Sequence, residues 1–150
     1  MTAKDLEKKV ADLEKKLADV QAIEEIKNLH RDYVYGLCTH SWKEMADCVT
    51  DDAEVTISTW PPAKGKKEFL HLLADLIGPN VDWVSAHWAT MPVITVKGNK
   101  AKGHWLLYNL SGGPKVEWKQ ARYDCEYVKE NGKWKFKVIL FVSPWPVPPK

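Results

Sequence analysis

The chain has 150 residues, 45% of them hydrophobic, enough for one core and too few for two. Its 22 Lys and Arg nearly balance 20 Asp and Glu, so composition supplies no strong pull toward nucleic acid or an anionic membrane surface. No apolar run approaches the roughly 20 residues that span a bilayer, and the opening MTAKDLEKKV is not a charged lead into an apolar stretch, so a cytoplasmic location is expected.

In chain order, Leu6, Val10, Leu13, Leu17 and Val20 alternate by four and three with Lys and Glu between them, a heptad seam that Glu24 ends. Two and a half heptads recover little of the cost of helix nucleation alone. Residues 1–21 are therefore read as a coiled-coil-like helical extension closing against a second copy, in a homo-oligomer of two or three chains; a solvated amphipathic extension is the alternative. From residue 22 the pattern moves to Ile23, Ile26, Leu29, Tyr33 and Leu37, a continuing helix that faces the core of a domain spanning 22–150. Gly36 weakens its last turn. Ser41 with Glu44 three residues later has the spacing of a capping box and predicts a second helix over 41–50. Residues 53–59 alternate like a strand, Trp60-Pro61-Pro62 breaks it, and 67–77 reads as a helix that Gly78-Pro79 ends.

Everything afterwards is strand and turn: 83–96, 100–110, 116–129 and 134–142, separated by Lys97-Gly98-Asn99, Ser111-Gly112-Gly113-Pro114 and Glu130-Asn131-Gly132. Helices first and an antiparallel meander second predict an α+β domain with its helices on one face of a curved sheet. The proline-rich tail from Pro144 cannot be a central strand and is expected to wrap over the pocket mouth or a neighbouring subunit. Cys38, Cys48 and Cys125 are odd in number and not closely spaced, so reduced thiols are expected and no metal site. No glycine-rich phosphate loop or dinucleotide fingerprint is present, so no cofactor is expected. Lys64-Gly65-Lys66-Lys67 and the lysines of 97–102 are short loop clusters rather than a nucleic-acid stripe.

The order of Ala22-Ile23-Glu24-Glu25-Ile26-Lys27-Asn28-Leu29 leading to Tyr33, the Trp42 helix, Thr50-Asp51-Asp52-Ala53, His87 five residues before Pro92, Gly103 with Trp105, Arg122-Tyr123 and Asn131-Gly132-Lys133-Trp134-Lys135-Phe136 resembles the SnoaL-like group of the nuclear transport factor 2-like superfamily. The resemblance covers the chain from about Ala22 onward. It implies a cone-shaped, cystatin-like barrel in which a curved antiparallel sheet and the N-terminal helices enclose one apolar pocket. In flavour the chain is most similar to scytalone dehydratase, bile-acid 7α-dehydratase and hexachlorocyclohexane dehydrochlorinase. Those lyases use a pocket histidine as base, an aspartate that orients it, and a tyrosine or other polar group that assists the leaving group. The fold also hosts isomerases, cyclases and plain ligand binders, so the site has to carry any functional claim.

His87 stands where the resemblance puts the base, in a small or apolar neighbourhood that should lower its pKa and keep it neutral. A core imidazole with a backbone partner is the alternative. Tyr33 falls on the inner helix face, where its phenol could donate to a substrate oxygen or simply fill the core. Cys38 corresponds to the orienting aspartate, a departure that leaves several readings open. Chemistry could run without the dyad, the thiolate could pair with His87 and act as a nucleophile, the pocket could only bind, or the thiol could be inert. His40 lies close enough in sequence to substitute.

Asn109 shares a strand face with Gly103, Trp105 and Leu107 by the period of two, and stands where the bile-acid enzyme has a carboxylate. Tyr123, with Ala121 and Cys125, should line the pocket, while Arg122 points away. Ser143 replaces an arginine of that enzyme, which argues against a bulky anionic substrate. Trp60, Trp88, Trp105, Leu107, Tyr123 and Phe141 are the candidate substrate contacts, drawn partly from an unusual eight tryptophans, whose faces suit a flat apolar ring.

These readings predict a cofactor-independent lyase of dehydratase type, or an isomerase, acting on a small cyclic or aromatic hydroxylated compound. His87 is the expected base, with Tyr33 and Asn109 polarising an oxygen. A non-enzymatic hydrophobic-ligand-binding domain and an oligomeric assembly subunit are the alternatives.

Overall fold

The first helix, α1 (Ala3–Thr39), starts at a capping box: the Asp5 amide donates to Thr2 Oγ1 at 3.3 Å while the Thr2 amide donates to Asp5 Oδ2 at 2.8 Å. It runs 37 residues, about 55 Å, without a proline, and ends where His40 enters the left-handed region (φ 57°) and the Ser41 amide bonds the Gly36 carbonyl at 2.8 Å. The computed structural model describes residues 1–80, 85–112 and 116–146. Trp83, the Gly113-Pro114 turn and the tail from Val147 lie outside these described residues.

Helix α2 (Trp42–Asp47) is shorter than the sequence pattern suggested. The expected capping box does not form, because the Ser41 hydroxyl bonds the Thr39 hydroxyl at 3.0 Å instead. Strand β1 (Val49–Ile57) starts four residues earlier than its alternation implied, since Val49 pairs with Phe136 of the last strand and that tertiary contact overrides local pattern. A two-residue strand β2 (Ala63–Lys64) precedes α3 (Gly65–His71), which runs on as a π-helical turn to Ile77 and a 3₁₀ turn over Gly78–Asn80. Gly65 is required at that entry: its φ is +81°, and an added Cβ would sit 2.7 Å from the Asp51 carbonyl oxygen. Four long strands follow, β3 (Ser85–Lys97), β4 (Lys100–Ser111), β5 (Glu117–Glu130) and β6 (Lys133–Val142).

The six strands lie in the order β2-β1-β6-β5-β4-β3, with only β1 and β6 parallel. The architecture is the expected α+β, cystatin-like one; its curved sheet stays open, with β2 and β3 as edges. Helix α1 buries Ile26, His30, Tyr33 and Val34 against the inner face, where Trp105, Leu107, Ala121, Tyr123, Tyr127, Phe136 and Ile139 meet it.

Besides the irregular β1–β6 pairing between Val49 and Glu54, register slips in β6 and β3 shape that face. In β6 the alternation that buries Trp134 and Phe136 would next bury Val138, but the register slips beside Lys137, so Ile139 turns inward instead. In β3 the slip falls at Met91-Pro92, where Met91 takes φ 51°, and it brings Ile94 and Val96 to the core after His87 and Ala89. Among the described residues no helix is long and apolar enough to cross a membrane.

Gly36 has a packing role beyond helix propensity: a Cβ there would lie 2.6 Å from Met45 Cγ, and Met45 is itself buried under α1. Gly36→Ala should therefore destabilise the fold by about 1–3 kcal/mol through overpacking, against the usual gain from alanine in a helix. Urea unfolding checks this, the midpoint falling at unchanged slope.

Candidate functional site

Strand pairing sets the site. His87 on β3 is the direct register partner of Asn109 on β4, which in turn faces Lys119 on β5. By the two-residue period, Leu107, Ala121 and Tyr123 share that inner face, and α1 lays Tyr33 and Leu37 across it. The result is a cavity of about 210 Å³. Tyr33 and Tyr123 line it with Leu73, Ile77 and Leu107, and His87 with Asn109 supplies the polar wall. Trp60, Phe141, Lys119 and Ser143 also line it, and the Ser58 hydroxyl ties the Ser143 carbonyl at 2.9 Å.

Asn109 Nδ2 lies 2.7 Å from His87 Nε2 and 3.4 Å from the Ala86 carbonyl oxygen. A carbonyl only accepts, so the amide nitrogen faces this pair and donates; His87 Nε2 must then accept, and the imidazole proton sits on Nδ1. Nδ1 points toward Cys38 Sγ at 3.7 Å, while that thiol lies 4.0 Å from the His87 carbonyl oxygen. Burial, and to a lesser degree the neighbouring His40, pushes the His87 pKa down to about 4, so the ring is neutral near pH 7.

Two readings of Cys38 change accordingly. A thiolate–imidazolium pair needs a protonated ring, and desolvation of His87 works against it, whereas the 3.7 Å approach of Sγ to Nδ1 is the contact it would use. Cys38 also lies behind the ring, reached from a shallower groove lined by Arg31, Tyr35, Trp88 and Trp105 rather than from the cavity. His40 does not replace the aspartate: it stacks on Trp42 at 5.1 Å, and as a cation it opposes protonation of His87. The tautomer is set instead from the other side, by Asn109.

Burial holds the Tyr33 phenol pKa well above its usual value, and Tyr123 is raised for the same reason. Their rings meet edge to face with centroids 6.1 Å apart.

Of the ten candidate residues, His87, Asn109, Tyr33, Leu107, Tyr123, Trp60 and Phe141 line one cavity, and Cys38 backs it. Trp88 lies outside this cavity: it points outward on β3, 47% exposed and stacked on Trp118, and lines the groove it shares with Cys38 and His87. Trp105 is also removed from the cavity, lying beneath it with its ring stacked on His30 at 4.1 Å and its Nε1 donating to Tyr127 Oη at 2.9 Å. Arg122 points away as expected and pairs with Asp124, with Trp145 at 5.6 Å from its guanidinium, so the described part of the tail turns to the outer face.

Sequence reasoning missed Lys119, although the parity that selected Ala121 and Tyr123 also selects it. It missed His30 as well, a fully buried imidazole whose Nδ1 meets Tyr127 Oη at 3.3 Å and whose Nε2 has no partner among the described residues. A larger depression of about 760 Å³ on the outer face, lined by Lys97, Lys100, Lys102, Glu126 and Lys137, is far from His87 and crossed by the Lys102–Glu126 ion pair. We therefore place the site at His87. Among the described residues no group of three or more His, Cys, Asp or Glu could hold a metal.

Compared with known proteins, residues 18–139 match the model of the family described as SnoaL-like domain. No curated protein matches the chain. Among solved structures, a candidate scytalone dehydratase of Novosphingobium aromaticivorans is 21% identical with a TM-score of 0.73, over 86% of this chain and 91% of that one. The hexachlorocyclohexane dehydrochlorinase LinA-type3 of Novosphingobium barchaimii is 24% identical with a TM-score of 0.72, over 87% and 97%. An NTF2-like protein with a cystatin-like fold, also from Novosphingobium aromaticivorans, is 16% identical with a TM-score of 0.77, over 91% and 89%. At these identities the likeness establishes the fold.

Burial also pushes the His30 pKa down to about 3. The unfolded chain, with histidines near 6.5, then binds more protons than the folded one between about pH 6.5 and 4, so stability should fall as pH falls through that window. Histidine-selective NMR between pH 5 and 8 should show both imidazoles staying neutral, His87 as the Nδ1–H form; titration of either near 6.5 would contradict this electrostatic account.

Proposed function

The chain belongs to the SnoaL-like domain family, and on that premise we propose that it is a cofactor-independent lyase of dehydratase type, or an isomerase, acting on a small cyclic or aromatic hydroxylated compound. The observation that carries this reading is the neutral His87 ring, its Nε2 lone pair turned to an apolar cavity and held by Asn109 at 2.7 Å. A cavity of about 210 Å³ is below the ~300 Å³ usual for small-molecule sites, which favours a substrate of one or two rings. The names of two structural neighbours, a dehydratase and a dehydrochlorinase, support elimination as the reaction type.

In such an elimination His87 Nε2 takes a carbon-bound proton, the C–H electron pair becomes the new double bond, and the leaving hydroxide departs from the adjacent carbon. The imidazolium then returns the proton, so the hydroxide leaves as water. Asn109 must release Nε2 for this, and in this reading its freed N–H, with the hydroxyls of Tyr33 and Tyr123 from the same cavity wall, meets the departing oxygen. A base as weak as this one suits a carbon acid that the substrate itself activates, for example beside a carbonyl.

One observation favours the non-enzymatic reading instead: the Asn109 amide occupies the lone pair the base would use. His87→Gln separates the two. Turnover should drop by about 10²–10⁴-fold while binding of small phenols and cyclic ketones, followed by tryptophan fluorescence, changes only a few-fold; equal binding with no product from the wild type would leave a receptor. The pH profile should be flat above about pH 5 and fall below it as His87 protonates. Cys38→Asp, placing a carboxylate near Nδ1, should move that acid limb to higher pH.

A further inference from the structure

Residues 3–21 of α1 bury nothing. Leu6, Val10, Leu13, Leu17 and Val20 are 46% to 57% exposed, a continuous apolar seam on a helix whose start is capped. At about 100° per residue, the seam is centred roughly 150° around the helix from the Ile26, His30 and Tyr33 stripe that packs on the sheet. It therefore faces away from the domain, and α1 cannot bury it by bending back without breaking its own hydrogen bonds.

The flanking charges say what covers it. With Leu6, Leu13 and Val20 at heptad position d and Val10 and Leu17 at a, position e carries Glu7 and Glu14 and position g carries Lys9 and Lys16. In a parallel pair each g faces e of the next heptad, so Lys9 meets Glu14 of the second copy, twice by symmetry. In an antiparallel pair lysines would face lysines and glutamates glutamates. Val10 at a, between Leu6 and Leu13 at d, suits two strands over the first half of the seam, Leu17 at a and Val20 at d do not add to that preference, and Glu24 at the next a position ends it.

We propose that the N-terminal seam forms a parallel, in-register, two-stranded coiled coil with a second copy of this chain. It deepens the expectation of an oligomer and is independent of the chemistry at His87, so either can fail without the other.

Sedimentation of the full chain tests it. The wild type should run at twice the mass of one chain and Leu13→Asp/Leu17→Asp at the mass of one, with the near-ultraviolet dichroism of the domain tryptophans unchanged. A variant carrying Glu7→Lys and Glu14→Lys, and another carrying Lys9→Glu and Lys16→Glu, should each be monomeric and should pair when mixed. Leu13→Cys should cross-link to a covalent dimer under mild oxidation, beyond any cross-linking of the wild type. A wild type at the mass of one chain, or Leu13→Asp/Leu17→Asp still at the wild-type mass, would overturn the coiled coil; a Leu13→Cys dimer that gives no such cross-link would overturn the parallel arrangement.

Discussion

Laying one long helix across a strongly bent sheet requires that every central strand present its apolar side chains to the same face from end to end. Alternation alone does not achieve this, because bending and twisting carry a strand out of phase with its neighbours. The slips beside Lys137 in β6 and at Met91-Pro92 in β3 restore the phase. With them, Phe136 and Ile139 both reach the core, and β3 can offer His87 and Ala89 at one end and Ile94 and Val96 at the other. Remove either slip and half a strand would turn over, taking Ile139 of β6, or Ile94 and Val96 of β3, out of the core.

That constraint also makes the site. His87 and Asn109 meet because they are opposite residues on adjacent strands, so their geometry is held by backbone pairing rather than by flexible side-chain packing. Burial then decides the charge. Desolvation disfavours the imidazolium, and without a carboxylate at position 38 no attraction offsets it. The ring becomes a weak, neutral base of defined tautomer, held by an amide on one side and backed by a thiol on the other.

Much of this was legible in the residues. Leu29-to-Tyr33 spacing, strand alternation and the turn dipeptides sufficed for the α+β order, and the resemblance pointed to His87, Tyr33, Asn109 and Tyr123 together. What escaped depended on long-range pairing. The early start of β1 is set by Phe136, more than eighty residues away, and the outward turn of Trp88 follows from strict alternation beside His87, whereas an aromatic residue next to a candidate site residue invites the opposite guess. Trp105 has the correct face but lies too deep, because α1 lowers His30 onto it. His30 shares the helix face of Ile26 and Tyr33 by spacing of four and three, but a polar ring among Asn28, Arg31 and Asp32 reads as surface.

The open sheet has two free edges, which in principle could recruit a strand from another molecule. One edge is only Ala63 and Lys64 long. The other, β3, is interrupted midway by Pro92, which has no amide hydrogen to offer, and by Met91 with its left-handed backbone. Neither gives an incoming strand a long, regular ladder. Among the described residues, edge-to-edge addition, the route by which open sheets run on into filaments, is limited to the six-residue stretch of β3 before Met91, so contacts through side chains on helices or sheet faces are favoured.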